Sequence, residues 1–147
     1  MPGNKWPAVI EEVTVGREAR EVRVSIPPFT DGAGVFPLAE IEYPIGDDST
    51  DTEIRMVVGK PVWVQFIAGD HRRPIITGSR NPNTGNEVGT RRWNHDNFEI
   101  NADVDYTVNA QTITLKAGSK ITLVVGGTSI TLTSADIVAV ASKIKLN

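Results

Sequence analysis

The sequence predicts an all-β protein in two parts, a small closed or nearly closed barrel and then a β-helical tail that three chains build together. Three observations predict it. Residues 1 to about 95 set short apolar runs between turn residues, with no helical periodicity longer than a turn or so. Proline disappears from Phe98 onward. In that tail, alternating bursts recur with starts seven to nine residues apart, separated by small or turn-forming pairs. The expected boundaries are a barrel over 1–80, a connector over 81–97 and the repeating tail over 98–147.

The barrel elements follow in order. Val13-Thr14-Val15 gives way to a loop at Gly16-Arg17-Glu18-Ala19. Val22 to Ile26 alternates at period two and stops at Pro27-Pro28, because proline cannot donate to a ladder. Leu38 to Tyr43 is another short run, closed by Pro44 and the acidic loop Gly46-Asp47-Asp48-Ser49-Thr50-Asp51. Ile54 to Val58 leads into the turn Gly59-Lys60-Pro61. Val62 to Ile67 is the strongest strand, rich in β-branched and aromatic side chains. Gly69-Asp70 opens a polar loop, and Pro74 to Gly78 returns as a strand. Five or six strands in about 90 residues suit a small barrel. Asn81 to Thr90 is a turn-rich connector.

The tail bursts are Val104/Tyr106/Val108, Ile113/Leu115, Ile121/Leu123/Val125, Ile130/Leu132, a run from Ile137 or Val138, and Ile144/Leu146. The corners are Asn109-Ala110, Ala117-Gly118, Gly126-Gly127, Ser134-Ala135 and Ser142-Lys143. The apolar phase shifts between bursts: Val108 is even, Ile113 to Val125 are odd, and Ile130 is even again. In one flat sheet a slip of one residue exposes the opposite face. A corner every eight residues or so absorbs the slip if each strand restarts its own inside and outside.

Each unit buries only two or three side chains on one face, so one chain alone leaves apolar rows and unpaired edges in water. Three chains solve this by meeting on a shared axis, each giving one strand per layer and moving to the next face at each corner. The expected trimer core is Ile113, Leu115, Ile121, Leu123, Val125, Ile130 and Leu132, with threonines outward. Six layers give a prism about 30 Å long. An antiparallel hairpin stack or an extra meander stays open on spacing alone.

Composition excludes several classes. Formal net charge is −3, and no basic run offers a nucleic-acid footprint. The absence of cysteine removes disulfides and thiolate metal sites. The N-terminus has no apolar h-region, so no secretory signal is expected. The longest apolar run, Ile137 to Ala141, is far short of a membrane span.

The stretch Val62-Trp63-Val64-Gln65-Phe66-Ile67-Ala68-Gly69-Asp70-His71-Arg72-Arg73-Pro74-Ile75-Ile76-Thr77-Gly78 resembles part of the OB-fold domain in the central spikes of contractile phage tail baseplates. That group comprises baseplate assembly protein V and the related VgrG spikes of type VI secretion. The order of barrel, connector and β-helix repeat is also similar, over most of the chain. The resemblance implies an N-terminal OB-fold and a C-terminal intertwined triple-stranded β-helix formed by a homotrimer. It implies a non-enzymatic, membrane-piercing spike, driven through the target-cell outer membrane when a sheath contracts. The implied partners are a baseplate hub protein at the OB end and a target membrane pierced rather than specifically bound. The implied location is a virion tail baseplate or an extracellular injection particle, assembled in the bacterial cytoplasm. The connector leaves no room for the lysozyme domain some phage spikes carry, and the chain lacks the His-x-His apex that binds iron in some members. A blunt tip at Ile144, Leu146 and Asn147 then needs a cap, implying a separate PAAR-type tip protein.

Other chemistry is weakly signalled. His71 and His95 are the only histidines, and His95 beside Asp96 matches no zinc spacing. A threefold ring of His95 around an axial ion is the minority alternative. Asp47/Asp48 and Asp103/Asp105 are carboxylate pairs that nothing places across a cleft. No serine sits in a nucleophile elbow, and Gly126-Gly127 lacks the rest of a phosphate loop. No catalytic residue, metal or cofactor is expected. The rival function is an OB-fold module binding single-stranded nucleic acid or carbohydrate, with Trp63 or Phe66 as aromatic platform. These two residues point to opposite faces of one strand, so at most one can serve.

Overall fold

A computed structural model describes residues 3–15, 20–44 and 51–145. The loop expected at 16–19, residues 46–50 of the acidic loop, and Leu146 and Asn147 lie outside these residues. The chain divides into two units, Met1–Phe98 and Glu99–Asn147. Both are all-β among the described residues, apart from one 3-10 turn.

The first unit is one five-stranded sheet rolled into a nearly closed barrel. Its strands are β1 (Trp6–Val15), β2 (Arg20–Ser25), β3 (Glu40–Ile41), β4 (Pro61–Phe66) and β5 (Pro74–Ser79). They lie in the order β2-β1-β4-β5-β3, antiparallel except for the parallel pair β3–β5. The segment leading into β3 closes the ring. Val24 N donates to Pro37 O at 3.2 Å, Ala39 N donates to Val22 O at 2.8 Å, and Leu38 bridges Arg23. On its other side, Glu42 N donates to Ile76 O at 2.9 Å.

The core alternates as strands require. Ala8, Ile10, Val22, Val24, Ile26, Val62, Val64 and Ile76 are buried. β1 reaches further than the expected Val13–Val15, and a bulge explains why periodicity hid it. The register runs Ile10↔Val24 and then Glu12↔Arg23, so Glu11 is extra and Val13 returns to the core side. A second bulge stands opposite β4, where Trp63↔Gly78 is followed by Val64↔Ile76. Such bulges bend and twist a sheet, which a barrel this small needs.

The strand expected over Ile54–Val58 does not form. The Ile54 carbonyl accepts the Arg20 guanidinium instead of a ladder partner, and Glu53 pairs with Arg20 at 2.7 Å. The neighbouring edge of β2 is already occupied by Pro37–Ala39. The connector is tied by its own side chains. Asn81 Oδ1 accepts from Asn83 N at 3.2 Å and Asn86 Nδ2 at 3.3 Å. The Glu87 carboxylate, held below its usual range by the Thr90 hydroxyl and then by Arg92, accepts from both.

In the second unit, residues 99–119 form no strand. An antiparallel meander follows, with β6 (Lys120–Val125), β7 (Thr128–Thr133) and β8 (Ile137–Val140) in the order β6-β7-β8. Within one chain, then, the pairs Gly126-Gly127 and Ser134-Ala135 turn the chain back on itself rather than onto a new face.

Truncating the barrel core tests its packing. Ile10→Ala deletes a fully buried side chain, and such changes cost about 2–5 kcal/mol. Guanidinium unfolding followed by tryptophan fluorescence should show the midpoint falling with the slope unchanged.

Candidate functional site

The register of the meander decides which side chains share a face. Ile121 stands opposite Leu132, Leu123 opposite Ile130, and Val125 opposite Thr128. Ile130 stands opposite Ala139, and Leu132 opposite Ile137. Directly paired residues point the same way. One face is therefore Ile121, Leu123, Val125, Ile130, Leu132, Ile137 and Ala139, with Thr128 at its rim. The other is mixed: Lys120, Thr122, Thr131 and Thr133 with Val124, Ser129, Val138 and Val140.

The two-residue Gly126-Gly127 loop sets this register, with Gly126 at φ +55° as tight hairpins favour. It also explains the change of phase between Val125 and Ile130. Across a two-residue hairpin, odd positions on β6 face even positions on β7. The slip in the sequence thus keeps the apolar residues on one face of one sheet.

Among the described residues of the second unit, nothing covers that face. Leu123 is 55 % exposed, Val125 81 %, Ile130 43 % and Ile137 76 %. Only Ile121 and Leu132 are half-buried. Five of the seven expected trimer-core residues lie together here. The other two, Ile113 and Leu115, are exposed in the strandless segment 99–119, with Val104, Tyr106 and Val108. Of the expected tip, Ile144 is exposed and outside any strand, while Leu146 and Asn147 lie outside the described residues.

A second candidate lies at the barrel's end. Phe29 packs edge-on against Trp6 and Phe66, with ring centroids at 4.8 and 5.1 Å. His71 leans on Phe29 and Phe66 at 4.3 and 4.6 Å. Thr30 anchors Phe29's turn: its buried hydroxyl accepts from Ile26 N at 2.8 Å, and its own N donates to Ile26 O at 3.2 Å. A cavity of about 750 Å³ opens beside Trp6, Phe66 and His71, lined also by Gln65, Ala68 and Ile75. Sequence reasoning missed the cluster, because Trp6, Phe29 and Phe66 are far apart in the chain and only barrel closure joins them.

The β4–β5 loop flanks this cavity. Residues Ile67–Gly69 make a 3-10 turn, with Ala68 at φ 51° and Gly69 at φ 77°. Ile67 N donates to Arg73 O and Arg73 N to Asp70 O, both at 2.9 Å. Asp70 accepts from the Arg72 backbone N and from its Nε and Nη2, each at 3.0 Å. Those contacts hold the Asp70 carboxyl down at about 2, the side-chain hydrogen bond from Arg72 being the main cause. The same contact raises the Arg72 guanidinium. The loop is thus pinned, although Arg72 is exposed.

The remaining expectations separate. Trp63 faces away from the core, with the Arg80 guanidinium 5.9 Å from its ring, and Phe66 joins the cluster. His95 is exposed and stacks near Phe98 at 6.2 Å, while Asp96 pairs with Arg55 at 3.6 Å. Among the described residues no three His, Cys, Asp or Glu side chains gather. Asp103 and Asp105 are exposed, and Asp47 and Asp48 lie outside the described residues.

No family model and no curated protein matches this chain.

Asp70 generates a pH prediction. Its folded pKa lies below the ordinary 3.8, so its stabilising contact is present above about pH 4 and lost as pH falls towards 2. The stability difference between the native chain and Asp70→Asn should shrink over that window. Carboxyl carbon NMR should place the Asp70 midpoint near 2 rather than near 3.8.

Proposed function

We propose that this chain is the spike of a contractile injection machine, a non-enzymatic homotrimer that pierces a target-cell outer membrane when a sheath contracts. The observation that carries the reading is the uncovered apolar face of the β6–β7–β8 sheet, in a unit whose described residues form no second layer. A sheet with one apolar face has to bury it against another layer. Further copies of the same chain supply that layer symmetrically.

The barrel agrees with this reading. Its ring order β1-β2-β3-β5-β4, with β3 parallel to β5, is compatible with a five-stranded barrel of the OB type. The spike resemblance rests on the β4–β5 hairpin, whose Gly69-Asp70 turn and Pro74 start are well ordered by local hydrogen bonds. In this reading the barrel end meets a baseplate hub protein. A PAAR-type protein caps the C-terminal tip at Ile144, Leu146 and Asn147. The working location is a virion tail baseplate or an extracellular injection particle, assembled in the bacterial cytoplasm. The resemblance further implies an interwoven course of the three chains along a β-helix, with neighbouring strands of a wall from different chains.

One observation favours a second reading. The cavity lined by Trp6, Phe66 and His71 has aromatic walls of the kind on which a sugar or nucleic-acid base stacks. A binding module of this kind has no need for three chains.

Solution mass separates the two. Light scattering after size exclusion should give three times 15.9 kDa, stable to dilution. A folded particle of 15.9 kDa would remove the spike reading. Ile130→Asp places a charge at the centre of the apolar face and should convert the trimer to monomers with the barrel still folded.

A further inference from the structure

We infer that each wall of the trimeric prism is one chain's own β6–β7–β8 meander, turned with its apolar face to the threefold axis. This rests on the trimeric reading above and departs from its interwoven course, in which neighbouring strands of a wall come from different chains.

Three observations support it. The β6–β7 ladder is complete within one chain, from Lys120↔Thr133 to Val125↔Thr128. Its two-residue turn is too short to reach another wall. The β7–β8 turn is closed the same way: Thr133 N donates to Asp136 O at 2.9 Å, and Asp136 N donates to Thr133 Oγ1 at 3.0 Å. An interwoven wall would have to break both sets of backbone bonds and remake them between chains.

The dimensions fit three walls. A six-residue strand at about 3.4 Å per residue spans about 20 Å. In a triangle of that side each wall stands about 6 Å from the axis, and half the usual 10 Å sheet spacing is about 5 Å. One inward layer of side chains fills such a prism. Four walls would stand about 10 Å from the axis and leave a channel.

The exposed area points the same way. Fully burying one aliphatic side chain takes roughly 60–120 Å² of apolar surface from water. Leu123, Val125, Ile130 and Ile137, the exposed large side chains of the inward face, then offer roughly 240–480 Å² per chain, an apolar patch of the size that marks an interaction site. The opposite face is the more polar of the two, with Lys120, Thr122, Ser129, Thr131 and Thr133 beside Val124, Val138 and Val140.

The chain has no cysteine of its own, so introduced thiols report cleanly. Thr122 and Thr131 are direct cross-strand partners on the outward face. The full-length double variant Thr122→Cys/Thr131→Cys is treated with a short bis-maleimide and run on a denaturing gel, with solution mass measured on the same sample. A trimer by light scattering that runs as single chains on the gel is the expected result. A trimer that runs as covalent dimers and trimers overturns self-paired walls while leaving the spike reading standing. A monomer by light scattering removes the spike reading and this inference with it. Ala139→Cys, a small change on the inward face, gives the second readout. Chain-to-chain crosslinks there, absent in a Thr131→Cys single variant, are expected, and the reverse pattern overturns the orientation of the face.

Discussion

The segment Pro37–Glu42 holds the first unit shut. It is short, but it pairs with β2 on one side and β5 on the other, and without it the sheet would have two open edges. Once the ring closes, inward residues from four strands meet and need no second layer. Ile10, Val24, Ile26 and Val64 are fully buried for that reason. The two bulges allow the curvature, and the aromatic cluster of Trp6, Phe29, Phe66 and His71 gathers at the end the closure creates.

The second unit meets the same requirement, and its described residues do not satisfy it within one chain. Three strands are too few to roll into a barrel, so Leu123, Val125, Ile130 and Ile137 on its apolar face are left to water. Cross-strand pairs such as Leu123↔Ile130 stabilise the sheet but bury little by themselves. The contrast between the two units carries the functional reading. One covers its own apolar side chains, and the other leaves an apolar face exposed.

The barrel's β4–β5 loop shows a different economy. Ala68 accepts a left-handed backbone and Asp70 holds two sets of Arg72 donors, so an exposed loop keeps one shape. That shape places His71 against Phe29 and Phe66, at the mouth of the cavity.

The sequence by itself determined the all-β class, the strength of β4 and β5, the hairpin between them and the change of texture after Phe98. These depend on local alternation, on turn residues and on proline, all of which act within a few positions. It also marked Ile121, Leu123, Val125, Ile130 and Leu132 as a set, because alternation survives any choice of partner strand. Tertiary structure alone decided how that set is arranged. The phase slip at Gly126-Gly127 has two solutions, a corner or a hairpin, and only the pairing of β6 with β7 selects the hairpin. The early part of β1 was hidden because a bulge breaks its period. Ile54–Val58 read as a strand because propensity cannot know that the adjoining edge is occupied. The parallel β3–β5 contact and the joining of Trp6 to Phe29 and Phe66 depend on residues distant in the chain, which only closure of the sheet brings together.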